Sequence, residues 1–269
     1  MSSCRVCGAP VASLFIARVR NRHDALFQRC GACGFVQIER PHWLDEAYRN
    51  PMAASDTGGL ARCLDLANIV SVLIFFLFDR SARHLDYAGG YGLFTRRMRD
   101  IGFDYFRQDR YAPNLLAQGF DDNPALGQVD VVTSFESFEH FVDPPAELAA
   151  ILARSRTVVF TTEVLPEPVP SPEAWFYYGL HHGQHVAFYT PDSLRRLAAR
   201  FGLRYHRAPP VHIFTDRPLR PALLRLLMRL RRFGLPLLVR RCMTSRTVSD
   251  SVERARYEAG ACDTPEIPS

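Results

Sequence analysis

The sequence predicts an α/β protein: a parallel sheet covered by helices on both faces, with a small cysteine-bearing ribbon in front. Three observations predict it. Between residues 82 and 216, short apolar runs of strand type alternate with segments of helical spacing, and that alternation builds a parallel sheet. The turn after the first run reads "DYAGGYG", a backbone almost bare of side chains. Ahead of it, four of the seven cysteines form two C-x-x-C pairs.

The ribbon comes first. "CRVC" (Cys4, Cys7) and "CGAC" (Cys30, Cys33) are each followed by glycine, Gly8 and Gly34. Two such pairs roughly twenty residues apart are a strong zinc signal. Each pair bends into a tight turn that presents two thiolates to one side. Four thiolates close a tetrahedron and leave no open position, so the metal is expected to be structural. A piece of about forty residues buries little core, and zinc binding on the order of 10–16 kcal/mol can fold it outright. The ribbon is expected over residues 1–40, with linker and helices over 41–81. The most apolar stretch there, "IVSVLIFFLF" from Ile69 to Phe78, is about half the roughly 20 residues of a bilayer span. It reads as a buried helix. Cys63, Cys242 and Cys262 are isolated and carry no signal.

From residue 82 the elements follow in order. "HLDYA" is a strand, and "GLFTRRMRDIG" a helix stopped by Gly102. "FDYFRQD" is a second strand, and "QVDVVTSF" a third that ends in "ESFEHF". "PPAELAAILARS" is a helix with proline in its first turn, "RTVVFTTE" a strand, and "TPDSLRRLAARFG" a helix capped by Thr190 or Asp192. "LRYHRA" and "VHIFTD" close the series as a strand pair. Ligands of such sheets bind at the carboxyl ends of the strands. That singles out Asp86 to Gly92, Asp109, Ser134 to His140, and Glu163. "DYAGGYG" is not the G-x-G-x-x-G dinucleotide fingerprint, and a glycine-rich turn alone is weak. Asp109 strengthens it: at the end of the next strand a carboxylate can accept both hydroxyls of a ribose, at about 1.5–3 kcal/mol each. A nucleoside ligand without a pyrophosphate fits this pair better than a dinucleotide. The alternative is a turn that only packs helix on strand.

"LDYAGGYG", the acid after the second strand, "DVVTSFESFEHFVDP" and "TVVFTTE" together resemble the class I S-adenosylmethionine-dependent methyltransferases over roughly residues 82–216. The resemblance implies a Rossmann-like, seven-stranded sheet whose last strand is antiparallel. It implies S-adenosylmethionine as cofactor. Asp86, Ala88, Gly89, Gly90 and Gly92 would meet its methionine part, and Asp109 its ribose. Phe120 or Asp121 would lie near the adenine, and Ser134, Phe135 and Glu136 would line the cofactor beside the substrate. Ala88 stands where the family usually has its first glycine. More narrowly, a zinc ribbon ahead of such a domain resembles the methyltransferases of nucleotide-carried deoxysugars. Those carry a further C-terminal domain, whereas about fifty residues follow the sheet here. The implied acceptor is a small molecule or glycan, such as an activated sugar. The rivals are an O-methyltransferase of another small metabolite and a non-catalytic scaffold of the same fold.

Transfer from a sulfonium is an in-line displacement, helped by holding the nucleophile near attack distance; an oxygen or carbon nucleophile also needs a base. In the deoxysugar C-methyltransferases a histidine just before an aromatic stretch is the base, and "QHVAFYT" puts His185 there. The alternative is a structural post that ties its loop to the sheet. Glu136 is placed to orient substrate. Glu139 and His140 either share that task or hold the strand-to-helix loop. Glu163 is a second base candidate, and Trp175 to Tyr178 are either a wall of the acceptor site or lid packing.

The last stretch, 217–269, reads as a basic helical extension and tail. Residues 217–241 hold eight Arg and no acid among leucines: a surface for an anionic membrane, a helical cap, or a homodimer contact. No aromatic stacking platform accompanies the charge, so nucleic acid is not expected. The net charge of +5, 47% apolar and 23% charged residues are those of an ordinary soluble domain. "MSSCRVCGAP" contains no apolar stretch of the secretory kind. A cytoplasmic, reducing setting is expected, in which cysteine pairs more often mean metal than disulfide.

Overall fold

The computed structural model describes residues 2–49 and 57–262. Most of the expected tail "CDTPEIPS" therefore lies outside the described residues. The ribbon forms an antiparallel meander of β1 (Val11–Val19), β2 (His23–Cys30) and β3 (Val36–Ile38). A short helix α1 (Leu44–Ala47) and the long α2 (Gly59–Leu77) lead to the second sheet. Its elements are β4 (Arg83–Tyr87), α3 (Leu93–Ile101), β5 (Asp104–Gln108), β6 (Val131–Ser134), α4 (Pro144–Leu152) and β7 (Thr157–Phe160). After the two-residue β8 (Ala187–Phe188) come α5 (Pro191–Arg200), β9 (Arg204–Ala208) and β10 (Val211–Thr215). The chain then runs through α6 (Pro221–Leu230), α7 (Leu235–Cys242) and α8 (Thr247–Cys262).

The second sheet has the order β5-β4-β6-β7-β10-β9. β4 to β7 pair in parallel, and β10 is antiparallel to both its neighbours. This is the Rossmann-like arrangement expected, with the late strand reversed. Every residue of β6, β7 and β10 is buried, which is why those strands read as unbroken apolar runs and not as an alternation. The count of seven strands is corrected to six among the described residues. Where a seventh would lie beside β5, pairing shrinks to one parallel bridge between Arg107 and Asp121. There the Arg107 amide donates to the Phe120 carbonyl at 2.9 Å, and the Asp122 amide to the Arg107 carbonyl at 2.7 Å. Asn123 then caps a single turn starting at Pro124, and a proline has no N–H with which to continue a ladder.

The ribbon sheet gains its fourth strand from far along the chain, since β8 pairs with β3. The cysteines share a core cluster with Leu194 and Leu197 of α5 and Phe160 of β7. On the other face of the second sheet, α2 buries Leu66 to Ile74 with Leu224, Leu227 and Val239 of α6 and α7. α2 is long and apolar enough, by length and composition, to cross a membrane, with 44% of it buried in the protein. The basic extension thus caps the sheet, leaving Leu226, Phe233 and Leu237 exposed among its arginines. Arg99 of α3 ties α8 down by a two-point bond to Asp250, both contacts at 2.8 Å.

Candidate active site

β4 ends at Tyr87 and the chain turns through Ala88 to Gly92 before α3 begins. Asp86 lies buried beneath this turn, accepting from Thr133 Oγ1 at 3.0 Å and Thr95 Oγ1 at 3.5 Å. Burial pushes its carboxyl up to about 7. A Cβ on Gly89 would stand 2.6 Å from Asp86 Oδ2, and one on Gly92 2.7 Å from Asn114 Oδ1 and 3.1 Å from the Ala117 amide. Those two glycines let the turn close on what lies under it. Gly90 differs: it has φ +54°, and a Cβ there would meet nothing within 4 Å. Its outer side is open. Ala88 holds φ +58°, a left-handed conformation that costs a non-glycine residue about 1–2 kcal/mol.

Asp109, one residue beyond β5, faces the turn. Its Oδ2 accepts from the Gly90 amide at 2.9 Å, and its Oδ1 from the Tyr111 and Ala112 amides, each at 2.7 Å. A carboxylate offers about four lone-pair positions, so one remains, on Oδ2. The carboxylate can thus take one further donor, where the expected role on a ribose needs two. Of the two residues expected near an adenine, Phe120 packs under the Arg99 guanidinium, 3.6 Å from its ring centre. Asp121 accepts from Asn114 Nδ2 at 2.8 Å.

Beyond β6, Ser134 and Ser137 share a buried hydroxyl pair at 2.6 Å, and Phe135 meets Phe94 edge-on. Glu136 holds φ +48°. The Thr161 hydroxyl takes its amide at 2.8 Å and donates to its Oε1 at 2.7 Å. Two non-glycine residues at positive φ, Ala88 and Glu136, thus follow two parallel strands at their carboxyl ends. Strain of this kind concentrates where ligands act.

Glu139, His140 and His185 come together behind Glu136. One ligand-type atom from each lies within 4.8 Å of the others. Glu139 is fully buried, and burial pushes its carboxyl up to about 8. Tyr177 and Thr162 hydroxyls stand near enough to favour its charged form, yet neither oxygen of Glu139 completes a hydrogen bond. His140 Nδ1 pairs with the Tyr48 hydroxyl at 2.8 Å. His185 Nδ1 lies 2.6 Å from the Tyr177 carbonyl, which can only accept, so Nδ1 carries the proton and Nε2 the lone pair. Burial and the neighbouring imidazoles hold His140 well below the ordinary histidine range, and burial brings His185 down to about 4. Glu163 stands apart from this group, its amide donating to Tyr177 Oη at 3.0 Å. Trp175, Tyr177 and Tyr178 are packed into the ribbon-side core, and Phe176 alone points out.

The ribbon and the short segment after it hold the histidine loop. The Arg20 amide donates to the Leu180 carbonyl at 2.7 Å, Trp43 Nε1 to the Gly183 carbonyl at 2.8 Å, and Gln184 Nε2 to the Ala47 carbonyl at 2.9 Å. At its other end, sulfur separations are 3.7 Å for Cys4–Cys33 and 3.5 Å for Cys7–Cys30 and Cys7–Cys33. Four sulfurs about 2.3 Å from a zinc ion would be spaced by about 3.8 Å, whereas a disulfide needs about 2.05 Å. The donor set and spacing fit zinc. Gly8 and Gly34 follow each pair with φ of +76° and +71° and return their amides to the Cys4 and Cys30 carbonyls. Reading the sequence missed Tyr48, Thr161 and the Tyr177 carbonyl, which gave no local signal. It also missed the Asp109 turn, for which an Asp followed by accessible amides is a recognisable cue.

Compared with known proteins, residues 64–208, more than half of the chain, match the sequence profile of a family described as Methyltransferase domain. No curated protein matches the sequence. The structure is similar to that of mitomycin 7-O-methyltransferase, at 18% identity and a TM-score of 0.45 over 64% of this chain and 59% of that one. TnmH is 20% identical with a TM-score of 0.41, over 65% and 60%. Human N-acetylserotonin methyltransferase in complex with SAM is 15% identical with a TM-score of 0.40, over 65% and 66%. The chain therefore spans less than two thirds of the length of the first two.

Proposed function

Because the chain belongs to the methyltransferase-domain family, we propose that it transfers the methyl group of S-adenosylmethionine to a small-molecule or saccharide acceptor. The observation that carries this reading is the junction of Gly90 and Asp109. One amide–carboxylate bond of 2.9 Å locks the turn after β4 to the end of β5, and beside it lie an open glycine face and one unused carboxylate position. That fits a nucleoside with a zwitterionic tail. Gly89, Gly90 and the buried Asp86 would receive the methionine part, Asp109 a ribose hydroxyl, and Ser134 and Phe135 the floor beneath the sulfur.

When bound, the cofactor supplies an electrophilic methyl on a sulfonium. The protein's part is to hold the acceptor in line, which is worth several kcal/mol or more, and to strip its proton. Glu136, His140 and His185 are the polar groups assigned to the acceptor side. His185 is thereby both post and site: Nδ1 fixes the loop, and Nε2 is left with its lone pair. We assign structural zinc to Cys4, Cys7, Cys30 and Cys33, where its chemistry is to fold the ribbon that carries the histidine loop.

The test is transfer of a labelled methyl group from S-adenosylmethionine to a panel of nucleotide-sugars, saccharides and small phenols. Label in a small acceptor is expected. Donor binding without label in any of them would count against this acceptor class and favour the non-catalytic scaffold.

A further inference from the structure

We propose that Glu139, His140 and His185 hold a divalent metal ion on the acceptor side of the methyl-donor crevice, with Glu136 standing nearby as a carboxylate outside the ligand set. This rests on the methyltransferase reading for its role, though not for its chemistry. The Glu139 carboxylate is fully buried, and neither oxygen has a hydrogen-bond partner. A carboxylate in that position is costly unless something positive meets it. Among the described residues no Arg forms an ion pair with it; Arg62 Nε lies 3.8 Å from Oε2 of the neighbouring Glu136. What does approach Glu139 is a pair of imidazole nitrogens, within 4.8 Å of the carboxylate and of each other.

The imidazoles are set as ligands are set. A metal-binding histidine is oriented by a hydrogen bond from its other nitrogen. His185 Nδ1 donates to the Tyr177 carbonyl at 2.6 Å, and with His140 Nδ1 donating to the Tyr48 hydroxyl at 2.8 Å both Nε2 lone pairs are free for a metal. Both rings are only partly buried, so an ion would lie between the buried carboxylate and the acceptor space. Two imidazoles and a carboxylate suit manganese, iron, cobalt or zinc, whereas the four thiolates of the ribbon are a softer set selective for zinc. Three protein ligands leave positions for acceptor oxygens.

The acceptor class follows: a hydroxyl compound, best with two adjacent hydroxyls, as in a saccharide. A cation there acidifies the ligated hydroxyl. Its proton passes to the Glu136 carboxylate, and the oxygen's electron pair forms the bond to the methyl carbon. The C–S pair returns to sulfur, leaving a neutral thioether.

The probe is Mn2+, which does not compete for thiolates. The full zinc-loaded chain is titrated while the electron paramagnetic resonance signal of free Mn2+ is followed. One Mn2+ per chain is expected to bind. E139Q and H185A, prepared separately and checked for unchanged zinc content and circular dichroism, should each weaken it by more than the roughly 10- to 100-fold that outer-shell changes cost. No Mn2+ uptake at millimolar concentration, or equal uptake by both variants, overturns the proposal. The same samples are titrated with S-adenosylmethionine. Donor binding without Mn2+ overturns the metal site alone; Mn2+ binding without the donor upholds the site and overturns the methyltransferase role.

Discussion

Asp109→Asn replaces one carboxylate oxygen by an NH2 group and removes one charge, with almost no change of volume. In the protein the carboxylate accepts from three backbone amides, at 2.9, 2.7 and 2.7 Å. The side-chain amide retains most by keeping its oxygen on Tyr111 and Ala112 and turning its nitrogen toward Gly90, where two donors then face each other. One charge-assisted bond, worth about 1.5–3 kcal/mol, is lost from the fold. In a chain of this size that lowers Tm by roughly 2–4 °C per kcal/mol. The nitrogen also replaces the lone pair assigned to the ribose hydroxyl, so donor affinity falls by a further 1.5–3 kcal/mol or so, roughly ten- to a hundredfold. The two losses are separated by a double-mutant cycle. Calorimetric titration is run on both proteins with S-adenosylhomocysteine and with its 2′,3′-dideoxy analogue. The wild type should prefer the hydroxylated ligand, and the preference should vanish in the variant. A preference of the same size in both proteins would refute the assignment of Asp109 to the ribose, whatever happened to stability.

Cys30→Ser should reduce bound zinc from one per chain to none by metal analysis. Since the ribbon carries the histidine loop, methyl transfer should fall while donor binding persists; parallel loss of both would place the ribbon's role elsewhere. Ala88→Gly removes a left-handed strain of about 1–2 kcal/mol and adds about 0.4–1 kcal/mol of unfolded-state entropy. Thermal unfolding should therefore show a small net rise in Tm, and a fall would mean that Ala88 is not strained. His84 is fully buried with both ring nitrogens unpartnered, and burial brings it down to about 4. Its folded value lies below the unfolded one, so the unfolded chain takes the proton first as pH falls. Stability should decline from about pH 6.5 to about pH 4, by about 3 kcal/mol from this group. His84→Leu should flatten that part of the urea-unfolding profile, and an unchanged slope would contradict the reading.

Apart from β8, the strands and helices from β4 to β10 were legible because each carries a helical period or a short apolar run with its own stop, such as Gly102 after α3 and the Thr190 cap of α5, which the structure completes as a box with Ser193. The missing seventh strand was not, since one asparagine and one proline decide where pairing beside β5 fails. β8 could not be read at all: two residues form a strand there only because β3, about 150 places earlier, lies alongside. The apolar stretch from Ile69 to Phe78 marked a helix but not its length, which extends back to Gly59 through residues of mixed character. At the site, the glycine turn, Asp109 and the cysteine pairs were visible as types and spacings. The partners that give them direction were not. Tyr48 reaches His140 across 92 positions and Trp43 reaches Gly183 across 140, distances over which a single sequence carries no pattern.

Isothermal titration of the whole chain with S-adenosylmethionine tests most directly whether a methyl donor lies in the crevice between the β4 turn and Asp109. Saturable heat is predicted, with one ligand per chain and a Kd within the roughly 1 μM to 1 mM range common for enzyme ligands. No heat at millimolar donor, with the protein folded and zinc-loaded, would contradict it.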